Sequence, residues 1–258
     1  MGRAIFVGDR CQAIFGFTGA DAEAIENITT EFSTASLPLT VTYRCPKAVV
    51  RAAQQYVPHI QAHDDAPEGS FTSIAQADLL TQNLRSDDAI VCRLTAPLIT
   101  QAFALIKAGI PCHVRGRAIG EGLAKLARRW EVKSMPTFLD KLEAYQDREV
   151  AKLMAKGRET LAQAVQDKVD CLKVLAEGCQ DMDCLHAKIE TMFKDDSPTL
   201  TLSTVHKAKG REWKRVFVLG QAKHMPSKWA RQAWQMKQEI HLIYVAYTRA
   251  QQDLVLVD

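Results

Sequence analysis

The chain has 258 residues, a formal net charge of +3, 47% hydrophobic and 24% charged residues. That balance fits a soluble globular protein of one or two domains, and it excludes a collagen-like, disordered or strongly basic chain. There is no signal peptide and no apolar run long enough to span a bilayer, so no membrane role is expected.

The chain opens on Ala4-Ile5-Phe6-Val7, an apolar run expected to be a buried strand of a parallel sheet. A strand placed so early is expected to be a cut through a larger domain. A loop from Arg10 to Gly19 and an acidic helix from about Asp21 to Glu31 follow, with Asp21 as candidate cap. Leu37 to Thr42 reads as a strand, and Pro46 begins a helix to about Tyr56. Residues 57–86 are polar and broken by Pro and Gly, with a short strand near Phe71 to Ile74. Ala89 to Cys92 is a strand, Ala96 to Ala108 a helix ended by Gly109, and Pro111 to Val114 the next strand. This β-α-β spacing predicts a parallel α/β sheet.

Residues 117–195 carry helical periodicity, for example Leu139, Leu142 and Tyr145, or Val165, Val169, Leu172 and Leu175. They form a helical block inserted in the α/β pattern and closed by Asp195-Asp196-Ser197-Pro198. Strands resume at Leu200 to Val205 and Val216 to Leu219. A long helix from about Ser227 to Ala250 and a strand from Asp253 to Val257 finish the chain. The seven cysteines show no CxxC pair. Cys179, Cys184 and His186 come closest to a ligand set, but lie in a polar helical stretch. Reduced thiols in a cytoplasmic protein, with no metal site, are expected.

Four blocks carry charge or aromatic groups at strand ends. In Gly8 to Ala20, Gln12 can orient a water or touch a phosphate. Phe15 and Phe17 suit base stacking, worth about 1–3 kcal/mol per base, or are core anchors. Tyr43-Arg44 suits a purine and a phosphate, or a core cap beside a surface Arg. Thr204 to Glu212 places His206, Lys207, Lys209, Gly210 and Arg211 in one loop, which reads as anion-facing or as a solvated basic loop. In Glu239 to Ala250, Arg249 at a helix end could reach a γ-phosphate or complement the helix dipole.

Taken together and in order, the four blocks resemble motifs III, IV, V and VI of the UvrD/Rep-type superfamily 1 DNA helicases. The resemblance covers the chain except its helical block. It implies a RecA-like fold, P-loop NTPase in type, with a parallel sheet, flanking helices and a small helical insertion. Residues 1–36 would be the C-terminal remnant of the first RecA-like domain. Residues 37–116 and 197–258 would form the second, and 117–196 a reduced accessory subdomain. Gln12 would couple the γ-phosphate to the DNA site. Phe15 and Phe17 would stack bases of single-stranded DNA. Tyr43 would stack on adenine, and Arg44 would contact the γ-phosphate. Thr204 and His206, with Lys209, would meet the DNA. Gly210 would permit the turn, Glu212 would support the nucleotide, and Arg249 would be a second arginine finger. Ala13, Phe15, Thr18 and Arg211 depart from the family's usual Ser, Tyr, Arg and Leu.

No G-x-x-x-x-G-K-[ST] loop occurs in the sequence, and no acidic pair follows an apolar strand. The implied cofactors, ATP and Mg²⁺, would therefore be held by an intact parent and not tightly by this chain. The expected function is the C-terminal part of an ATP-dependent DNA helicase or translocase, inactive in hydrolysis on its own. Its partners would be single-stranded DNA and an N-terminal RecA-like domain docking on Ile5 to Val7. The alternative is a non-hydrolysing module that binds single strands or a partner.

Overall fold

Period-two alternation along four apolar strands decides the architecture. Ile90 and Cys92, Leu200 and Leu202, Phe217 and Leu219, and Val255 and Val257 point to one core; Ala89, Val91, Val216, Val218 and Leu254 point to the other. A sheet apolar on both faces must be covered on both, which suits parallel strands joined by helices.

The computed structural model describes residues 4–16, 23–193 and 199–258. Its elements are α1 (Ala24–Glu31), β1 (Val41–Thr42), α2 (Lys47–Ala53), β2 (Gln61–Ala62), β3 (Ser70–Ile74), β4 (Asp88–Cys92), α3 (Thr95–Lys107) and β5 (Cys112–Val114). Four helices follow: α4 (Arg117–Arg128), α5 (Met135–Met154), α6 (Glu159–Ala176) and α7 (Met182–Met192). The chain then returns to the sheet with β6 (Leu200–Thr204), α8 (Val205–Ala208), β7 (Trp213–Leu219), α9 (Gln221–His224), α10 (Ala233–Tyr247) and β8 (Ala250–Val257). The main sheet has six strands in the order β3-β8-β7-β4-β6-β5, all parallel. This is the mixed α/β, parallel-sheet class expected from the sequence.

One face of the sheet packs on α3 and on α4 to α7, through Leu98, Leu123, Phe138, Leu172 and Leu185. The helical block and the sheet thus share one core. The other face is covered by α2, α8 and α10 through Val49, Val205 and Val245. A carboxylate helps join the layers: Asp167 of α6 accepts from the Thr95 and Ala96 backbone N–H groups at 2.9 and 3.0 Å. It satisfies the open N-terminus of α3 from across the interface.

Several expectations are corrected. Residues 4–7 form no strand: among the described residues no neighbour pairs with them, and Ile5 is 90% exposed. The run 37–42 is strand only at Val41–Thr42, paired with β2 in a separate two-stranded sheet, and Leu37 and Leu39 are exposed. Apolar runs form strands only where a partner supplies backbone hydrogen bonds. The candidate cap Asp21 lies outside the described residues, as does the Asp195 to Pro198 stretch. The last helix starts at Ala233, not Ser227. Gln232 and Gln235 close a reciprocal capping box there, so the chain before it is a turn. The helix ends at Tyr247, and β8 begins already at Ala250, which pairs with Trp213.

At the central strand, Asp88 is 1% exposed and accepts from Arg215 Nε at 2.9 Å, Arg215 Nη2 at 2.5 Å and the Arg85 N–H at 2.7 Å. Asp88→Ala removes all three hydrogen bonds and strands a partly buried guanidinium. A loss of about 3 kcal/mol is expected, read from the urea-unfolding midpoint.

Candidate nucleotide and nucleic-acid interface

The predicted residues fall into two clusters joined by one loop: the first is built on the loop that follows the C-terminal end of β6, and the second lies just before the N-terminal ends of β7 and β8. That loop begins where β6 passes into α8. Thr204 Oγ1 accepts from the Lys207 N–H at 3.4 Å and caps the short helix. Its hydroxyl faces backbone, and the residue is buried. After α8 the chain turns sharply: Gly210 has φ +83, and the Arg211 N–H reaches the Ala208 carbonyl at 3.0 Å. A side chain at position 210 would be strained there.

The first cluster faces one side of this loop. Asp9 caps a short 3-10 turn, accepting from the Cys11 N–H at 2.8 Å and from Gln12 Nε2 at 2.7 Å. Cys11 and Ile14 anchor the segment in the core. Gln12 is therefore oriented by Asp9. Lys209 Nζ donates to the Gln12 carbonyl at 2.7 Å and lies 5.5 Å from the centre of the Phe15 ring. The Phe15 ring is 5.8 Å from that of His206. Burial, with the Arg93 guanidinium adding to it, pushes His206 down to about 3. His206 is thus neutral at physiological pH, and Lys209 supplies the charge here. Phe17 and Thr18 lie outside the described residues.

The second cluster joins three loops. Arg44 pairs with Glu212, and its Nη1 reaches the Thr248 carbonyl at 3.5 Å. Glu212 also accepts from Gln251 Nε2 at 2.9 Å. Arg249 is 1% exposed. Its guanidinium donates to the Val245 carbonyl at 2.9 Å, the Arg211 carbonyl at 3.2 Å and Thr248 Oγ1 at 3.0 Å. Among the described residues no carboxylate pairs with it. Burial, and then the Arg44 charge, push it down to about 10, so it remains cationic. A guanidinium held by neutral oxygens beside a second guanidinium keeps net positive charge for an anion. Tyr43 lies on the rim, 81% exposed, with its ring 4.5 Å from that of His63.

Arg44, Glu212 and Arg249 thus come together, as do Gln12, Phe15, His206 and Lys209. Tyr43 sits at the edge of the Arg44 group, and Thr204 is committed to its helix cap. Among the described residues no three His, Cys, Asp or Glu groups converge as a metal site, and Glu212 is already engaged. Among the described residues the donor set does not fit Mg²⁺.

Sequence reasoning placed Thr248 in the fourth block without a role, and missed Gln251 and His63, which have no local signature. It also missed Arg93, whose position directly after β4 was the available signal. Arg93 Nε and Nη2 grip Glu239 at 2.9–3.2 Å, and Nη2 also reaches Gln163 Oε1 at 3.1 Å. Ser227 completes this network, donating from Oγ to Gln163 and from its N–H to Glu239. It ties α6 of the helical block to α10, at whose far end Arg249 stands. Beside it a cavity of about 330 Å³ opens between α4, α6 and the ends of β4 and β6, lined by Leu94, Ile119, Leu161, Lys168 and His206 among others.

Among the described residues no helix is long and apolar enough to cross a membrane. The pattern of the UvrD-like helicase C-terminal domain matches residues 117–257, from α4 to the end of β8. The proteins named ATP-dependent DNA helicase UvrD2 from Mycobacterium bovis and from two strains of Mycobacterium tuberculosis are 26% identical to this chain over 306 residues. The alignment takes in 97% of this chain and 42% of each relative, so the chain spans under half their length. A solved C-terminal domain of a possible DNA helicase from Lactobacillus plantarum is 13% identical with a TM-score of 0.38, covering 84% of this chain and 86% of that one. With more than half of its residues matched by that family's pattern, including the Thr204–Glu212 loop and Arg249, the chain belongs to the UvrD-like helicase C-terminal domain family.

Proposed function

We propose that this chain is the C-terminal part of an ATP-dependent DNA helicase or translocase acting on single-stranded DNA, and that it does not hydrolyse ATP by itself. The observation that carries the reading is the convergence of Arg44, Glu212 and Arg249 at one end of the sheet, beside the Gln12, Phe15 and Lys209 group. The Thr204–Glu212 loop contributes to both, so a change on the nucleotide side is felt on the DNA side. Phosphate-cradling and Mg²⁺-binding groups come from an N-terminal RecA-like domain, on the same or a separate chain. The exposed Ile5, Phe6 and Val7 offer it an apolar face. The seven thiols, all free, accord with a cytoplasmic setting.

The purified chain is expected to show no DNA-stimulated ATPase, and mixing with an N-terminal RecA-like half to restore it. Robust turnover by the chain alone overturns the proposal. The second reading, a non-hydrolysing single-strand or partner-binding module, is favoured by the Phe15–His206–Lys209 group being complete within this chain. It predicts salt-dependent binding without any rescue of ATPase. In either case Phe15→Ala should weaken binding of a single-stranded oligonucleotide by about 1–3 kcal/mol, measured by fluorescence anisotropy at fixed salt.

A further inference from the structure

Cys179 and Cys184 stand apart from the other five cysteines. Cys11, Cys45, Cys92 and Cys171 are buried, and Cys112 packs at the edge of a core. Cys179 lies half-buried on the turn from α6 into α7, and Cys184 half-buried in the first turn of α7. The Cys184 thiol donates to Cys179 Sγ at 2.9 Å, and Cys179 Sγ donates to the Leu175 carbonyl at 3.5 Å. The two sulfurs are therefore already in contact, with no other side chain between them.

Their surroundings hold that contact. Asp181 caps α7 and accepts from the Cys184 N–H at 2.9 Å, which fixes the Cys184 backbone. Lys188, one turn further along α7, donates to the Leu175 and Glu177 carbonyls at 3.2 and 2.6 Å. Its ammonium thus shares the Leu175 carbonyl with Cys179. Burial pushes the Cys179 thiol up, and Lys188 pulls against it. His186 is near in sequence, but among the described residues no three-ligand metal cluster forms.

We propose that Cys179 and Cys184 form a dithiol site that a peroxide oxidises to an intramolecular disulfide. Cys179 loses its proton, and its thiolate, beside Lys188, attacks one peroxide oxygen. The O–O bond breaks, the sulfur becomes a sulfenic acid, and the departing hydroxide takes the released proton as water. The Cys184 sulfur then attacks the Cys179 sulfur. The S–S bond forms, the S–O bond breaks, and the leaving hydroxide takes the Cys184 proton as a second water. Two thiols are oxidised by two electrons and one peroxide is reduced to two waters. The product staples the end of α6 to the start of α7, on the helical block that shares a core with the sheet.

The test is hydrogen peroxide on the intact purified chain, followed by mass analysis of the tryptic peptide 174–188, which holds both cysteines. Loss of two hydrogens from that peptide, two fewer titratable thiols, and recovery with dithiothreitol support the site. Added oxygens on either cysteine without hydrogen loss, or oxidation of Cys112 with this peptide unchanged, overturn it. In Cys184→Ser the reaction should stop at a Cys179 sulfenic acid trapped by dimedone. An unmodified Cys179 in that variant overturns the assignment of the attacking sulfur. Lys188→Met is expected to slow oxidation several-fold, and an unchanged rate removes Lys188 from the mechanism.

Discussion

Glu239→Ala is expected to destabilise the fold by about 3–5 kcal/mol, the range for removing one partner of a buried ion pair. The side chains of Arg93 and Glu239 are 10% and 9% exposed. Without Glu239 the Arg93 guanidinium keeps its hydrogen bond to Gln163, and the Ser227 N–H loses its acceptor. With so little of the pair exposed, the charge is left largely uncompensated. Glu239→Gln keeps an acceptor for Ser227 and should fall between wild type and alanine. The double change Arg93→Met with Glu239→Leu should cost less than Glu239→Ala alone, because no charge is stranded. Urea unfolding of the four proteins measures the series. A cost for Glu239→Ala below about 1 kcal/mol would mean the pair behaves like an exposed one.

Arg44→Ala is expected to lower the kcat of DNA-stimulated ATP hydrolysis by about 10³–10⁵, the worth of an arginine finger, in the assembly that carries the N-terminal RecA-like half. Arg44 is the better probe of the two arginines. It is over a third exposed, and its pairing with Glu212 lies at the surface, so its removal disturbs the fold little. Arg249 is buried and holds three oxygens together; its loss would mix folding with chemistry. Steady-state kinetics with a matched thermal-unfolding control separate the two. A fall in kcat with an unchanged unfolding midpoint is the expected result. A KM effect alone would make Arg44 a binding group and not a group acting in the transition state.

The parallel sheet was legible because its signal is local. Ala89 to Cys92, Leu200 to Thr204 and Val216 to Leu219 are short, apolar and bounded by turns, and each is a strand. The runs at 4–7 and 37–42 carry the same signal and yield no strand at the first and two residues at the second. Periodicity reports which faces are apolar. It does not report whether a hydrogen-bonding neighbour is there. The helical block was legible as helices, but its union with the sheet core through Leu98, Leu123 and Leu172 was not, since periodicity does not name the surface a helix packs against.

By itself the sequence determined the kinds of element and the chemistry of the four strand-end blocks, because both are written in neighbouring residues. The tertiary structure decided which of those groups meet. Arg44 and Glu212 are 168 residues apart, and Arg93 and Glu239 are 146 apart. Strand order brings each pair together, one at each end of the parallel strands, and strand order depends on which faces can be buried together. Burial is likewise a property of the assembled chain. It makes His206 neutral and hides Arg249 among neutral oxygens, so that of the residues expected to meet DNA, Lys209 is the one that carries positive charge.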